Sequence, residues 1–159
     1  PNGMSLGLGG IAKGYAVDRA ADTLRLMGYQ DFVVNAGGDL LASGRYKDNL
    51  WQVGIKHPRL AGKELAVLPM SGYALATSGD YERPGHILDP RSGLTARRCQ
   101  SVTILARTAA VADALATGVF VLGPAEGLLL VESMSGVEAL IVGEDGSIHV
   151  SRGLTNQPG

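Results

Sequence analysis

The chain has 159 residues, of which 45% are hydrophobic and 18% charged, and its formal net charge is −1. This size and composition suit one globular domain or half of a larger one, and the apolar content excludes disorder. No apolar run approaches the roughly 20 residues of a membrane-spanning helix. A near-neutral chain with scattered lysines and arginines also argues against nucleic acid as the main partner.

The first part of the chain predicts one helix followed by short strands. Apolar residues recur every three or four positions from Val17 to Met27, and polar residues lie between them. We expect this helix to open at Gly9 and Gly10 and to end at Gly28, which suits a left-handed cap. Short runs of strand-forming residues then predict strands over 32–34, 51–56, 65–68 and 73–77.

The second part predicts a loop, a strand, two helices and a terminal hairpin. Residues 78–93 are rich in Gly, Pro, Asp and Ser and predict loop and hairpin, followed by a strand over 101–106. Helices are predicted over 109–122 and from Pro124 to about residue 134. Strands over 138–142 and 147–151 flank a turn at 144–146, and 155–159 is expected to be a disordered tail. We therefore expect one α+β domain over residues 1–154.

The numbers of glycines and cysteines limit the kinds of functional site that the chain can contain. The 23 glycines are about twice the usual share of ~7% and show no collagen-like period. Such an excess indicates tight turns and places where the backbone approaches something closely. The single cysteine, Cys99, excludes an internal disulfide and a cysteine-based zinc site, and we expect an ordinary half-buried thiol there.

A glycine-rich segment, residues 8–15, leads into the first predicted helix. Glycines at a loop-to-helix junction expose backbone N–H groups that suit a phosphate. The segment is not a Walker A loop, since the Gly-Lys-Ser/Thr ending is missing, and it lacks the third glycine and the preceding strand of a dinucleotide fingerprint. The alternative is that these glycines only allow close helix–sheet packing.

The next polar segment, residues 35–39, reads Asn-Ala-Gly-Gly-Asp and directly follows a predicted strand. Loops at such positions often carry ligand-binding residues, which makes Asp39 a candidate. The alternative is a hairpin turn with Asp39 in solvent.

Residues 77–90 concentrate hydroxyls, carboxylates, arginine and a histidine. Of the three histidines, only His86 is flanked by such groups, and a neighbouring carboxylate can orient an imidazole as a general base. The possible orienting carboxylates are Asp80, Glu82 and Asp89. The alternative is that His86 is structural.

Asp113 and Thr117 are four positions apart on the second predicted helix. A carboxylate and a hydroxyl at this spacing project from one helical face. Together with a backbone carbonyl they form an oxygen-only set suited to a hard cation such as Mg²⁺. The alternative is a hydrogen bond from Thr117 back to the carbonyl four residues earlier.

These segments, in this order, resemble the FAD:protein FMN transferases of ApbE type. The similarity runs from Leu8 to about Val150. The matching motifs are LGGIAKGYAVD (8–18), NAGGD (35–39), W-x-V-G-I-x-x-P (51–58), TSGDYER (77–83), HILDPRSG (86–93), SVT (101–103) and ADALATGVFVLG (112–123).

The resemblance implies a tunnelling-type fold, an antiparallel sheet with packed helices, of which this chain would be the C-terminal half to two-thirds. It also implies Mg²⁺-dependent transfer of FMN from FAD to a threonine or serine hydroxyl of an acceptor flavoprotein, with release of AMP. Typical acceptors belong to electron-transfer complexes outside the cytoplasm, so a periplasmic or membrane-anchored location is expected. The N-terminal half of the same protein would be a further partner.

The resemblance also implies roles for individual residues. The metal ligands would be Gly10 through its carbonyl, Asp113 and Thr117, and His86 would be the catalytic residue beside the reaction centre. The expected FAD-binding positions are Gly7, Gly9, Lys13, Asp39, Ser78 and Leu88.

Two features depart from the family pattern. Family members usually carry Leu-Asp-Leu-Gly where this chain reads Leu-Gly-Leu-Gly at 6–9, so Gly7 replaces an aspartate that contacts FAD. The turn at 83–86 is also shorter than the hairpin of many members. An FAD-binding module without transfer activity, or an inactive half-domain that needs its N-terminal segment, therefore remain as alternatives.

Overall fold

A computed structural model describes residues 2–80 and 85–155. Within these residues the secondary structure follows the order α1 Ala12–Leu26, β1 Phe32–Ala36, β2 Asp39–Ser43, β3 Trp51–Lys56, β4 Glu64–Met70, β5 Tyr73–Gly79, β6 Cys99–Ala106, α2 Ala109–Leu122, α3 Pro124–Glu132, β7 Glu138–Gly143, β8 Ile148–Val150 and α4 Arg152–Thr155. The chain is α+β, as the sequence predicts.

Six strands form one antiparallel sheet in the order β1-β2-β5-β6-β7-β8, and β3 pairs with β4 in a separate ribbon. The central strand β6 is buried on both faces. Its residues Val102 and Ile104 pack with α2 and α3, whereas Leu105 packs with Val53 and Ile55 of the ribbon. The sheet is therefore the middle of three layers, which confirms the predicted antiparallel sheet with packed helices.

Local signals in the sequence set the helix ends. The Thr108 hydroxyl accepts a hydrogen bond from the Val111 N–H at the start of α2, and Gly123, at φ +87°, ends that helix. After α1, Gly28 takes a φ of +89°, and the Tyr29 N–H donates to the Leu24 carbonyl. The predicted bounds of α2 are confirmed at both ends. Within residues 2–80 and 85–155, every helix falls short of the length and apolarity that a membrane span requires.

Strand β2 and helix α4 are absent from the predicted elements. Leu40, Leu41 and Ala42 are all buried, so β2 lacks the alternation that reveals a half-exposed strand. Strand β5 also continues through Ser78 and Gly79 into the expected loop. Thr155 lies in α4 rather than in a disordered tail, and residues 156–159 lie outside the described residues.

Cys99 lies at the start of β6 and is only 2% exposed. Burial raises the pKa of its thiol to about 12, against a smaller lowering by Arg98. The expectation of a half-buried thiol is wrong, because β6 is covered by the helices and by the ribbon. A thiol with a raised pKa carries little thiolate at neutral pH, which argues against a nucleophilic role for Cys99.

Candidate functional site

The site is built where α1 crosses α2. The Gly14 N–H donates to Asp113 Oδ2 at 3.0 Å, and a Cβ added at Gly14 would lie 2.2 Å from the Ala109 carbonyl oxygen. One turn along α1, the Asp18 carboxylate accepts from the N–H groups of Ala109 (2.7 Å) and Ala110 (2.9 Å). These contacts hold the first turns of α2 against α1 and fix where Asp113 sits.

The Gly14→Ala substitution is expected to destabilise the fold by roughly 1–3 kcal/mol or more, because its methyl group overlaps the α2 backbone. Gly118→Ala is the matched control, since Gly118 is also helical and a Cβ there has open space around it in the described part of the chain. That control should be neutral or stabilising by up to about 1 kcal/mol. Urea unfolding of both variants measures the difference; equal free energies of unfolding would contradict the close approach.

The glycine-rich turn before α1 lies against the same part of α2. A Cβ at Gly10 would lie 3.6 Å from Thr117 Oγ1, so the backbone of this turn faces the hydroxyl. Thr117 Oγ1 lies 3.1 Å from Ser78 Oγ at the end of β5, within hydrogen-bonding distance. Among the described residues, the Thr117 hydroxyl therefore contacts β5 rather than the carbonyl four residues earlier in its own helix. The structure brings Gly10, Asp113, Thr117 and Ser78 to one place.

Asp39 reaches this place from the β1–β2 hairpin. Gly37 and Gly38 both have positive φ, and the Gly38 N–H donates to Asn35 Oδ1, which closes the turn. The hairpin alternative is therefore confirmed, but its solvated aspartate is wrong: the Asp39 side chain is only 2% exposed and lies 3.1 Å from Lys13 Nζ. The turn directs Asp39 into the α1 face of the sheet.

Two charged neighbours shift the pKa of the Asp39 carboxyl in opposite directions. Burial raises the pKa of this carboxyl most strongly, Lys13 lowers it, and Asp113 raises it again. Lys13 is close enough to be its ion-pair partner, yet within residues 2–80 and 85–155 no donor is aligned to hydrogen-bond Asp39 Oδ2. The ammonium that pairs with this buried carboxylate is itself half exposed.

The donor set fits a hard divalent cation. Asp113 supplies a carboxylate, Thr117 and Ser78 supply hydroxyls, and Gly10 would supply its backbone carbonyl. Every side-chain donor in this set is therefore an oxygen atom. The described residues contain no group of three or more His, Cys, Asp or Glu side chains that could hold a metal ion, so hydroxyl and carbonyl oxygens would complete the shell. A cation would also balance the excess negative charge of Asp39 and Asp113.

A cavity of about 460 Å³ opens beside Lys13. Its wall includes the β1–β2 turn, Thr77 of β5 and Lys56 of the ribbon. Two lysines and a glycine turn suit an anionic ligand, because ammonium groups and exposed backbone N–H groups favour phosphate oxygens.

His86 and Leu88 lie on the loop after β5, and both are exposed. The two described carboxylates expected to orient His86 are each held by an arginine: Asp80 by Arg59 at 2.7 and 2.8 Å, and Asp89 by Arg91. Hydrogen bonds from Arg91 lower the pKa of Asp89 to about 2. Glu82 and most of the shortened turn lie outside the described residues. The roles of His86 and Leu88 stay predictions.

Gly7 and Gly9 lie on the exposed segment before α1. A Cβ on either one would meet no described atom within 4 Å, and neither φ is in the left-handed region. The backbone at Gly7 therefore accommodates an aspartate, the residue that the resemblance implies at this position. Their assignment to FAD binding stays a prediction.

Sequence reasoning missed the residues that hold the site together. The sequence places Gly14 and Asp18 in a motif but indicates no role for either, and it carries no signal for the ion pairs Lys13–Asp39 and Arg59–Asp80. The partners in these contacts lie far apart along the chain; Gly14 and Asp113, for example, are 99 positions apart. The local signal for these residues is their spacing along α1. Lys13 and Gly14 lie on one turn of the helix, and Asp18 lies on the next.

Comparison with known proteins identifies the family. A sequence model of the ApbE family matches residues 1–141. The chain belongs to the ApbE family. It is 34% identical to the FAD:protein FMN transferase of Haemophilus influenzae over 87% of this chain and 43% of that protein, and 34% identical to that of Treponema pallidum over 98% and 48%.

Solved ApbE structures share the fold. The ApbE protein from Thermotoga maritima superimposes with a TM-score of 0.88 and 40% identity, over 97% of this chain and 53% of that one. The flavin transferase ApbE from Vibrio cholerae superimposes with a TM-score of 0.80 and 33% identity, over 91% and 50%. The chain spans about half the length of these ApbE relatives.

Proposed function

We propose that this chain carries the metal-binding part of an FAD:protein FMN transferase site. The observation that carries the proposal is the meeting of Gly10, Asp113, Thr117 and Ser78 at the α1–α2 crossing, next to Lys13 and the cavity. The names of the ApbE relatives support the reaction class.

Gly10, Asp113 and Thr117 would hold Mg²⁺, which supplies charge neutralisation at the pyrophosphate of FAD. Lys13 would offer its ammonium to a phosphate oxygen at the mouth of the cavity. The close packing of α1 on α2 positions these groups before substrate arrives, so little reorganisation is required.

The transfer forms a bond between the acceptor hydroxyl oxygen and the phosphorus of the FMN moiety. The bond from that phosphorus to the bridging oxygen breaks, and AMP leaves with the oxygen. His86 would accept the hydroxyl proton on an imidazole nitrogen, since an alcohol needs a base within hydrogen-bonding reach. Its exposed position suits a group that meets a protein substrate.

The acceptor would be a flavoprotein of an electron-transfer complex outside the cytoplasm, with a threonine or serine as attachment residue. We propose a periplasmic or membrane-anchored location on the same basis, namely membership of the ApbE family. The region corresponding to the other half of the relatives would complete the FAD site.

A second candidate is an FAD-binding module without transfer activity. Gly7 favours it, because this position lacks the carboxylate that the family offers to FAD. Adding that carboxylate through Gly7→Asp would then strengthen FAD binding without producing transfer.

Incubation of the protein with FAD, Mg²⁺ and a threonine-containing acceptor peptide is expected to add FMN, less one water, to the peptide. Mass spectrometry of the peptide and quantification of AMP measure the two products, which should appear in equal amounts. A peptide with valine in place of the threonine is the control and should stay unmodified. Tight FAD binding with no modified peptide would contradict transfer and favour the binding module.

A further inference from the structure

Asp39 and Lys13 form an unusual charge pair beside the proposed metal ligands. The Asp39 side chain is 2% exposed, whereas the Lys13 side chain is 50% exposed. Carboxylates are seldom buried unless a cation compensates them closely. Here the compensating ammonium lies at the edge of the site and is free to move towards solvent or the cavity.

The local charges do not balance. Lys13 Nζ lies 3.1 Å from Asp39, and the next residue, Gly14, donates its N–H to Asp113 Oδ2, so two carboxylates and this one lysine meet at the first turn of α1. Asp39 Oδ2 is fully buried, and no described donor is aligned to hydrogen-bond it. The described counter-charge of this oxygen is Lys13 Nζ, 3.1 Å away and half exposed, so a divalent cation can take over this coordination position.

We propose that Asp39 is an additional cation ligand of this site and that Lys13 occupies its place as an internal counter-ion until a divalent cation binds. The inference rests on the proposed metal site at Asp113 and extends it to a residue of a different element, the β1–β2 hairpin. Ammonium and divalent cation compete for the same carboxylate. Cation binding therefore releases Lys13 towards the adjacent cavity, where it can meet a phosphate.

The test measures Mn²⁺ affinity of the protein alone, without FAD, by electron paramagnetic resonance of the free ion. Asp39→Asn is expected to weaken Mn²⁺ binding roughly tenfold or more, because it removes a coordinating charge at close range. Lys13→Gln is expected to strengthen it roughly tenfold, because the competing ammonium is gone. Mg²⁺ should displace the bound Mn²⁺ in each case.

Two controls separate competition at Asp39 from a general change in charge. Lys56→Gln removes another lysine that lines the same cavity. Lys56 has no described ion pair with Asp39, so this variant should change the Mn²⁺ affinity less than about threefold. Asp22→Asn removes an exposed carboxylate of α1 and should also have little effect. In the Asp39→Asn background, Lys13→Gln should no longer raise the affinity, because the two residues act through one contact.

Two results with Lys13→Gln decide the proposal. An unchanged or lowered Mn²⁺ affinity in Lys13→Gln would overturn it, and so would equal gains from Lys13→Gln and Lys56→Gln. Circular dichroism reports whether Asp39→Asn folds; if it does not, the half-exposed Lys13 variant decides alone. Unchanged Mn²⁺ binding in Asp113→Asn would instead contradict the proposed metal site itself, so the two failures are distinguishable.

Discussion

Asp113→Ala is expected to abolish Mg²⁺-dependent FMN transfer, with a loss of at least about 10²–10³-fold in rate. The substitution removes the carboxylate that the α1–α2 crossing holds at the centre of the proposed ligand set. Thr117→Val should cost less, because a neutral hydroxyl contributes less to cation binding than a charge. Rates of peptide flavinylation across a Mg²⁺ titration measure both effects.

Asp113→Asn is the better-matched variant. Alanine leaves the buried Gly14 N–H without its acceptor, which costs about 1–3 kcal/mol of stability. Asparagine keeps an acceptor oxygen and removes the charge, so it should retain the melting temperature while losing transfer. Equal Mg²⁺ dependence in the wild type and Asp113→Asn would rule out the assignment.

His86→Ala is expected to lower the transfer rate by about 10²–10⁴-fold while FAD affinity stays within a few-fold. The melting temperature should change little, because the residue is exposed. Single-turnover mass spectrometry of the acceptor peptide, with FAD binding followed by fluorescence, separates the two effects.

His149→Ala is a suitable control, because this histidine contacts Ser147 in the terminal hairpin. It should transfer FMN at the wild-type rate. Near-wild-type transfer by His86→Ala would remove His86 from the mechanism and pass the proton to Asp80, Asp89 or a phosphate oxygen of FAD. Asp89 would be a weak base, since Arg91 lowers its pKa to about 2.

Local signals in the sequence were sufficient for helices α1 to α3 and for most strands. Helix α2 runs over the predicted residues because a capping threonine, a positive-φ glycine and a proline mark its ends. The spacing of Asp113 and Thr117 likewise follows from helix periodicity alone. Such signals depend on neighbours within a few positions, which a single sequence displays.

Only the tertiary structure decided what surrounds these residues. Strand β2 shows no alternation because both of its faces are covered, and Asp39 is buried rather than solvated because its hairpin turns towards α1. The bond from Gly14 to Asp113 joins residues 99 positions apart, and the ion pair of Lys13 joins a helix to a hairpin. Neither the composition nor the periodicity of the sequence shows how close two such residues lie in the folded chain. Charged side chains become buried and paired only when folding excludes water and brings separate elements into contact.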